Sequence, residues 1–255
     1  MSVFSGYARY YDLLYRDKDY QSESVFVLNL IQKYAPNART ILELGCGTGG
    51  HAFCLAEKGL VVHGVDLSQQ MLDEARKKSE TLPSSVAENL SFSHGDIRNV
   101  RIAKKIDCAI SLFHVLSYQT QNEDVIATFQ TAKHHLSHGG LFIFDCWYGP
   151  AVLTAPPEVR IKRLEDNAHS FIRIAEPVMH PNKNIVDVNY TILVKDRLKA
   201  TFEEQKETHR MRYFFYPEIE MLCAQNGFEI VSAQELMTGI TPGFNTWGVC
   251  FVVRC

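Results

Sequence analysis

The stretch ILELGCGTGGHAFCLAEKGLVVHGVDLS, residues 41–68, limits the possible folds more than any other. An apolar strand runs into a cluster of glycines, a helix is expected over about 51–58, Gly59 is placed to end it, and the apolar strand LVVHGVD closes on an acid. Ser68 then caps a helix expected over about 69–79. The rhythm continues through LSFSHGD, IDCAISLFH, a helix in DVIATFQTAKHHL and the strand GGLFIFDCW. Continuous apolar strands alternating with amphipathic helices belong to an α/β protein whose parallel sheet is covered on both faces.

Beyond Trp147 the rhythm breaks. SFIRIAEP, NIVDVNYTILVKD and ATFEEQKETHRMRYFF have strand character, with HPNKN as turn chemistry between the first two. Alternation resumes in PEIEMLCAQNGF, a helix begun by Pro217 and ended by Gly227, and EIVSAQELM and WGVCFVVRC finish as strands. At the amino end, YARYYDLLY precedes a helix in which Val25, Leu28, Ile31 and Gln32 share helical spacing. The expected organisation is a helical cap over 1–38, an α/β core over 39–147, an inserted, mainly antiparallel β lobe over 148–212, and completion of the core over 213–255.

Composition narrows the partners. A net charge of −3 with no basic stripe argues against nucleic acid and anionic membrane surfaces. Seven cysteines without a C-x-x-C pair suit neither a disulfide framework nor a zinc site, so they read as reduced thiols and no metal is expected. Neither a basic, apolar leader nor a run of bilayer length is visible, and the expected compartment is the cytoplasm.

Gly45, Gly47 and Gly50 spell G-x-G-x-x-G, which taken literally is the dinucleotide fingerprint of an NAD-dependent oxidoreductase. Small residues at a helix amino terminus accept a pyrophosphate or a carboxylate equally well. The neighbouring acids discriminate. Glu43, two positions before Gly45, opposes a pyrophosphate and attracts an ammonium group; a zwitterionic amino-acid tail satisfies both it and the turn. Asp66 ends the second strand, where ribose hydroxyls can donate to it, a role shared by both cofactors. Asp96 ends the third, suited to an exocyclic adenine amine with Ile97 packed on the ring.

With these features, ELGCGTG resembles the E/D-x-G-x-G-x-G hallmark of class I S-adenosylmethionine-dependent methyltransferases. The resemblance implies a Rossmann-like, doubly wound methyltransferase sheet and S-adenosylmethionine as cofactor. Glu43 and the backbone from Gly45 through Gly47 to Gly49 would hold its methionyl end, Asp66 the ribose, and Asp96 with Ile97 the adenine, with Tyr20, Cys46, Leu67, Met71, Leu112 and Phe113 completing the cofactor-binding set. Across most of the chain, YYDLLYRDKDY, GDIRNV, FDCWYGP and HRMRYFFYPEIEMLCAQNGF resemble the N-methyltransferases that dimethylate nucleotide-linked amino sugars, of the desosamine and mycaminose type. The substrate this implies is a sugar nucleotide, bound partly by the inserted sheet. Methyltransferases of glycine and other small amines share several of these motifs. Two departures, FHVLSY in place of a Phe-Ser-Ser sequence and Trp147–Tyr148 in place of paired tryptophans, keep another amine or a hydroxyl acceptor open.

Methyl transfer requires an oriented, neutral acceptor and a sink for its proton. His114 and Tyr118 follow the fourth strand and could orient or deprotonate it, although His114 reads equally as a loop histidine bonded to the backbone. Of the aromatic preface Tyr7, Tyr11, Tyr15 and Tyr20, the motifs YDL and KDY favour Tyr11 and Tyr20 at the site, Tyr11 among the catalytic candidates. The candidate substrate contacts are Tyr7, Trp147, Tyr148 and Arg212, the last for a phosphate. The inserted sheet also offers a surface for a homodimer. A regulator without chemistry, or a methyltransferase for protein or RNA, is the remaining class, and the acidic balance weighs against RNA.

Overall fold

The computed structural model describes residues 8–165, 169–196 and 201–255. Helices α1 (Ala8–Leu14) and α2 (Tyr20–Tyr34) lead into β1 (Thr40–Leu44), α3 (Gly50–Glu57), β2 (Val61–Asp66), α4 (Gln69–Ser79), the short α5 (Ser84–Ala87), β3 (Leu90–His94) and β4 (Ile106–Ser111). A 3₁₀ turn (Val115–Tyr118), α6 (Asn122–His135), β5 (Leu136–Tyr148) and α7 (Gly149–Thr154) follow. Strands β6 (Arg160–Glu165), β7 (His169–His180), β8 (Ile185–Asp196) and β9 (Thr201–Phe214) then form an antiparallel meander. Helix α8 (Tyr216–Gln225), β10 (Glu229–Glu235) and β11 (Gly248–Arg254) end the chain.

The core sheet runs β3-β2-β1-β4-β5 in parallel; β11 joins β5 antiparallel and β10 lies beyond it. Alternation along β5 explains why both faces must be covered: Phe142, Phe144 and Cys146 enter one core with α6 and α8, while Leu141 and Ile143 enter the other with α2 and α3. Phe129 of α6 meets the rings of Phe142, Phe144 and Phe228 with centroids 5.3–5.9 Å apart. Because it is fully buried, Phe129→Ala is expected to cost about 3–5 kcal/mol in denaturant unfolding; a loss under about 1 kcal/mol would mean this cluster is not the core's centre.

The local signals act as the sequence implies. Ser68 Oγ accepts from the Met71 amide at 3.4 Å, Gly59 and Gly227 follow their helices with φ of +85° and +71°, and Pro217 sits in the first turn of α8. The HPNKN turn is a 3₁₀ turn closed by Asn184 at φ 54°. Three details differ. The buried face of α2 is Ser24, Val27, Leu30 and Ile31, not the stripe through Val25 and Gln32, which are exposed. That face packs on the main sheet, so the end of the amino-terminal segment is core, while Tyr11 of α1 and Tyr20 at the start of α2 line the cleft. Strand β6 and helix α7 were not anticipated; RIKRLE is an edge strand with a single buried residue, Leu164, and carries no apolar alternation.

Strand β5 outlasts its neighbour. Its pairing with β4 ends at Ser111–Phe144, and at Trp147 and Tyr148 the same edge is taken over by Tyr213 and Phe214 of β9, since β11 holds the other edge through Gly248. The meander is thereby spliced into the main sheet at its carboxyl end, beside the gap β4 leaves. Among the described residues, no helix is long and apolar enough to cross a membrane.

Candidate active site

A cavity of about 470 Å³ opens at the carboxyl ends of β1, β2 and β4 and extends to the inner face of β8 and β9. Gly45 and Gly47 turn the chain at its base with φ of +84° and +54°. A Cβ on Gly45 would lie 2.5 Å from Val115 Cγ1, whereas one on Gly47 would meet nothing within 4 Å, so the backbone there is bare toward the cavity. Behind the turn Glu43 is 1% exposed, and its Oε2 accepts no hydrogen bond from the described residues. Its Oε1 lies 3.7 Å from His51 Nδ1, and His51 Nε2 lies 2.7 Å from Glu23. Burial disfavours the His51 charge, but Glu23 and Glu43 outweigh it and raise its pKa. A buried carboxylate oxygen without a donor beside a bare glycine turn fits the ammonium of an amino-acid ligand.

The acids at the next two strand ends line the cavity itself, whereas Glu43 stays behind its wall. Asp66 braces the turn, accepting from the Gly47 amide at 2.7 Å and the Ser68 amide at 2.8 Å. Burial still raises its pKa above the ordinary value against those two donors. Asp96 is gripped by Arg98, whose Nε lies 2.9 and 3.0 Å from its two oxygens, and this hydrogen bonding lowers its pKa. A donor on a ligand would share Asp96 with that guanidinium. Leu67, Met71, Ile97 and Leu112 line the space between the two acids and β4.

Helix α1 covers the cleft. Asp12 accepts from Thr48 Oγ1 at 2.8 Å and pairs with Lys78 of α4 at 2.6 Å, tying α1 to both the glycine turn and the helix after β2. This brings Tyr11, Tyr15 and Tyr20 into the cavity wall; Tyr15 meets Phe113 edge-on at 5.1 Å, and a Cβ on Gly50 would lie 2.5 Å from the Tyr20 ring. Lys18, paired with Glu23, sits 3.8 Å over the Phe113 ring.

Phe113 and His114 adopt consecutive left-handed conformations, φ 64° and 62°, costing about 1–3 kcal/mol each for non-glycine residues. The residue that holds them there is Asp145, 1% exposed near the end of β5. It accepts the His114 amide at 3.1 Å with each oxygen, and its Oδ2 lies 2.6 Å from His114 Nδ1. Burial alone would raise the Asp145 pKa; the His114 ring and amide overcome it and hold the carboxyl below its usual range. Across the cavity the Tyr118 hydroxyl lies 2.8 Å from Nδ1 of His209, whose Nε2 is 3.2 Å from Glu207. Burial, then neighbouring Tyr15, Tyr190 and Glu207, push the Tyr118 phenol well above its ordinary pKa.

Of the residues expected at the site, Tyr11, Tyr20, Cys46, Phe113, His114, Tyr118 and Trp147 share the cavity with the residues already described. Two do not. Tyr148 packs into the core between the sheet and α6 and α8, because side chains alternate along β5 and Trp147 takes the open face. Arg212 is 8% exposed and is committed to Glu218 and to Asn122 Oδ1 at 2.7 Å, so its phosphate role is withdrawn. Tyr7 lies outside the described residues. Sequence reasoning missed Asp145, Tyr190, His209 and Glu207. The lone acid inside FIFDCW was a usable signal, since an unpaired carboxylate in a buried strand needs a partner.

A family model described as a methyltransferase domain matches residues 41–140. The dTDP-3-amino-3,4,6-trideoxy-alpha-D-glucopyranose N,N-dimethyltransferase of Streptomyces venezuelae is 28% identical over 88% of this chain and 90% of its own. The dTDP-3-amino-3,6-dideoxy-alpha-D-glucopyranose N,N-dimethyltransferase of Streptomyces fradiae is 25% identical over 92% and 91%. The crystal structure of an S-adenosylmethionine-dependent methyltransferase from Clostridium acetobutylicum superposes with a TM-score of 0.79 at 23% identity, covering 98% of each chain. The NAD reading of the glycines gains nothing from these matches, and the Glu43 carboxylate would repel a pyrophosphate. What the turn, its buried carboxylate and the relatives have in common is one chemistry: the chain is an S-adenosylmethionine-dependent methyltransferase whose fold matches that of the class I enzymes.

Proposed function

We propose that the chain N-methylates the amine of a nucleotide-linked amino sugar in the cytoplasm. The observation that carries this reading is the continuity of one cavity from the glycine turn to Val188, Tyr190, His209 and Met211 of the meander, in a chain similar over most of its length to two amino-sugar N,N-dimethyltransferases. When bound, S-adenosylmethionine supplies an electrophilic methyl group on a sulfonium. The chain's own residues bind, orient and exclude water. Glu43 and the Gly45–Gly47 backbone receive the methionyl end, Asp66 the ribose, and Asp96 with Ile97 the adenine. Tyr11, Tyr15 and Tyr20, held by the Asp12 latch, keep water from the reacting centre. His114, clamped by Asp145, hydrogen-bonds the acceptor sugar and Trp147 offers it a ring face. Tyr118 faces the amine. Held in line, a neutral amine needs little beyond orientation.

Transfer of tritiated methyl should be measured to dTDP-3-amino-3,6-dideoxyglucose, the same nucleotide with a hydroxyl for the amine, glycine and bulk RNA. Label is expected in the amino sugar alone. Equal transfer to glycine or to the hydroxyl sugar would defeat the substrate assignment while leaving the methyltransferase intact.

A further inference from the structure

Tyr118 is poorly suited to act as a base alone, because its surroundings disfavour a phenolate. Its partner is more telling. His209 is 3% exposed, and its Nε2 faces the carboxylate of Glu207, an acceptor with no proton to give. Nε2 therefore carries the ring hydrogen, and Nδ1 presents its lone pair to the Tyr118 hydroxyl at 2.8 Å. With its hydrogen directed at His209, the Tyr118 oxygen is left as an acceptor, and Tyr118 lines the cavity. The groups facing His209 include Tyr118 from the 3₁₀ turn, Tyr190 from β8 with ring centroids 4.8 Å apart, and Glu207 of its own strand. Only Glu207 is anionic among them, so a proton arriving on Nδ1 produces an imidazolium beside a carboxylate.

We propose that His209 is the proton sink for methyl transfer, acting through Tyr118. The acceptor enters as an ammonium and one N–H bond breaks as its proton moves to the Tyr118 oxygen. The phenolic proton moves in the same step to His209 Nδ1, leaving a neutral amine, a neutral tyrosine and an imidazolium next to Glu207. The proton returns through Tyr118 to water when product leaves. His209 is a positioning residue in this scheme, since Tyr118 alone touches the acceptor. The proposal rests on the acceptor being an amine, as read above.

The test measures methyl transfer from S-adenosylmethionine to dTDP-3-amino-3,6-dideoxyglucose across pH for wild type, His209→Asn, Glu207→Gln and Tyr118→Phe, with S-adenosylhomocysteine titrations confirming an intact cofactor site. At pH 7 His209→Asn and Tyr118→Phe are expected to lose about 10²-fold in kcat, and Glu207→Gln less. Near about pH 9.5, where an amine acceptor of ordinary pKa is increasingly neutral without help, the losses should shrink to within about threefold. A loss that is the same at every pH indicates a structural role and overturns the relay, as does no loss at pH 7. Should His209→Asn fail to bind S-adenosylhomocysteine, the pH dependence of Glu207→Gln and Tyr118→Phe decides. Failure of wild type on every amine would instead defeat the substrate reading.

Discussion

Glu43→Gln is expected to weaken S-adenosylhomocysteine binding by about 10²-fold, close to 2.7 kcal/mol, with no matching loss of stability in the unliganded protein. The two effects separate because Glu43 is arranged for a ligand rather than for the fold. Among the described residues its Oε2 is buried without a donor, and its Oε1 lies 3.7 Å from His51 Nδ1. Replacing a carboxylate in that position removes a desolvation cost from the empty protein. It also presents an amide NH₂ to the ligand ammonium in place of an acceptor, so a charge-assisted hydrogen bond is lost in a site where its strength is greatest. Calorimetric titration gives the affinity and thermal unfolding gives the stability. Binding within about threefold of wild type would show that the ammonium is held elsewhere.

Asp145→Asn is expected to destabilise the protein by about 3 kcal/mol at pH 7 and to abolish most activity. The carboxylate is fully enclosed, holds the His114 amide with both oxygens and lies 2.6 Å from its ring. An amide keeps one acceptor oxygen but neither the charge nor the second. Without the anchor the left-handed pair Phe113–His114 relaxes and the His114 ring leaves its place in the cavity wall. The pH dependence follows from the sign of the shift. The folded-state pKa of Asp145 lies below its unfolded value, so its contribution is complete above the unfolded value and is lost as pH falls through the folded one. The stability gap between wild type and Asp145→Asn should therefore narrow on acidification below about pH 4. Taking the difference matters, because Glu23, Asp96 and Asp187 also have lowered pKa values and make both proteins acid-sensitive. Urea unfolding at several pH values reads the gap directly; equal stability at pH 7, or a gap constant with pH, would show that Asp145 is not the clamp.

The alternation of strand and helix, the glycine turn and the acids Glu43, Asp66 and Asp96 were all legible without coordinates. Each is a local matter: apolar periodicity sets the element, a glycine permits positive φ, and an acid after an apolar run falls at a strand's end, where a doubly wound sheet opens. Adjacency across the chain is not local. Tyr118 meets His209 across 91 residues, and His114 meets Asp145 across 31. The second follows from the parallel register of β4 on β5, whereas the first exists because β9 takes over the edge of β5 that β4 vacates, an event with no period or motif to announce it. The same splice explains Arg212, which has the composition of a phosphate ligand and the position of a buried strut for Glu218 and Asn122. Local chemistry thus determined where the candidate cofactor residues fall, since that half of the site comes from strand ends near in sequence. Tertiary packing decided which side chains form the far wall of the cavity, because that wall is assembled from the 3₁₀ turn, β5 and a meander brought against them only when the core closes.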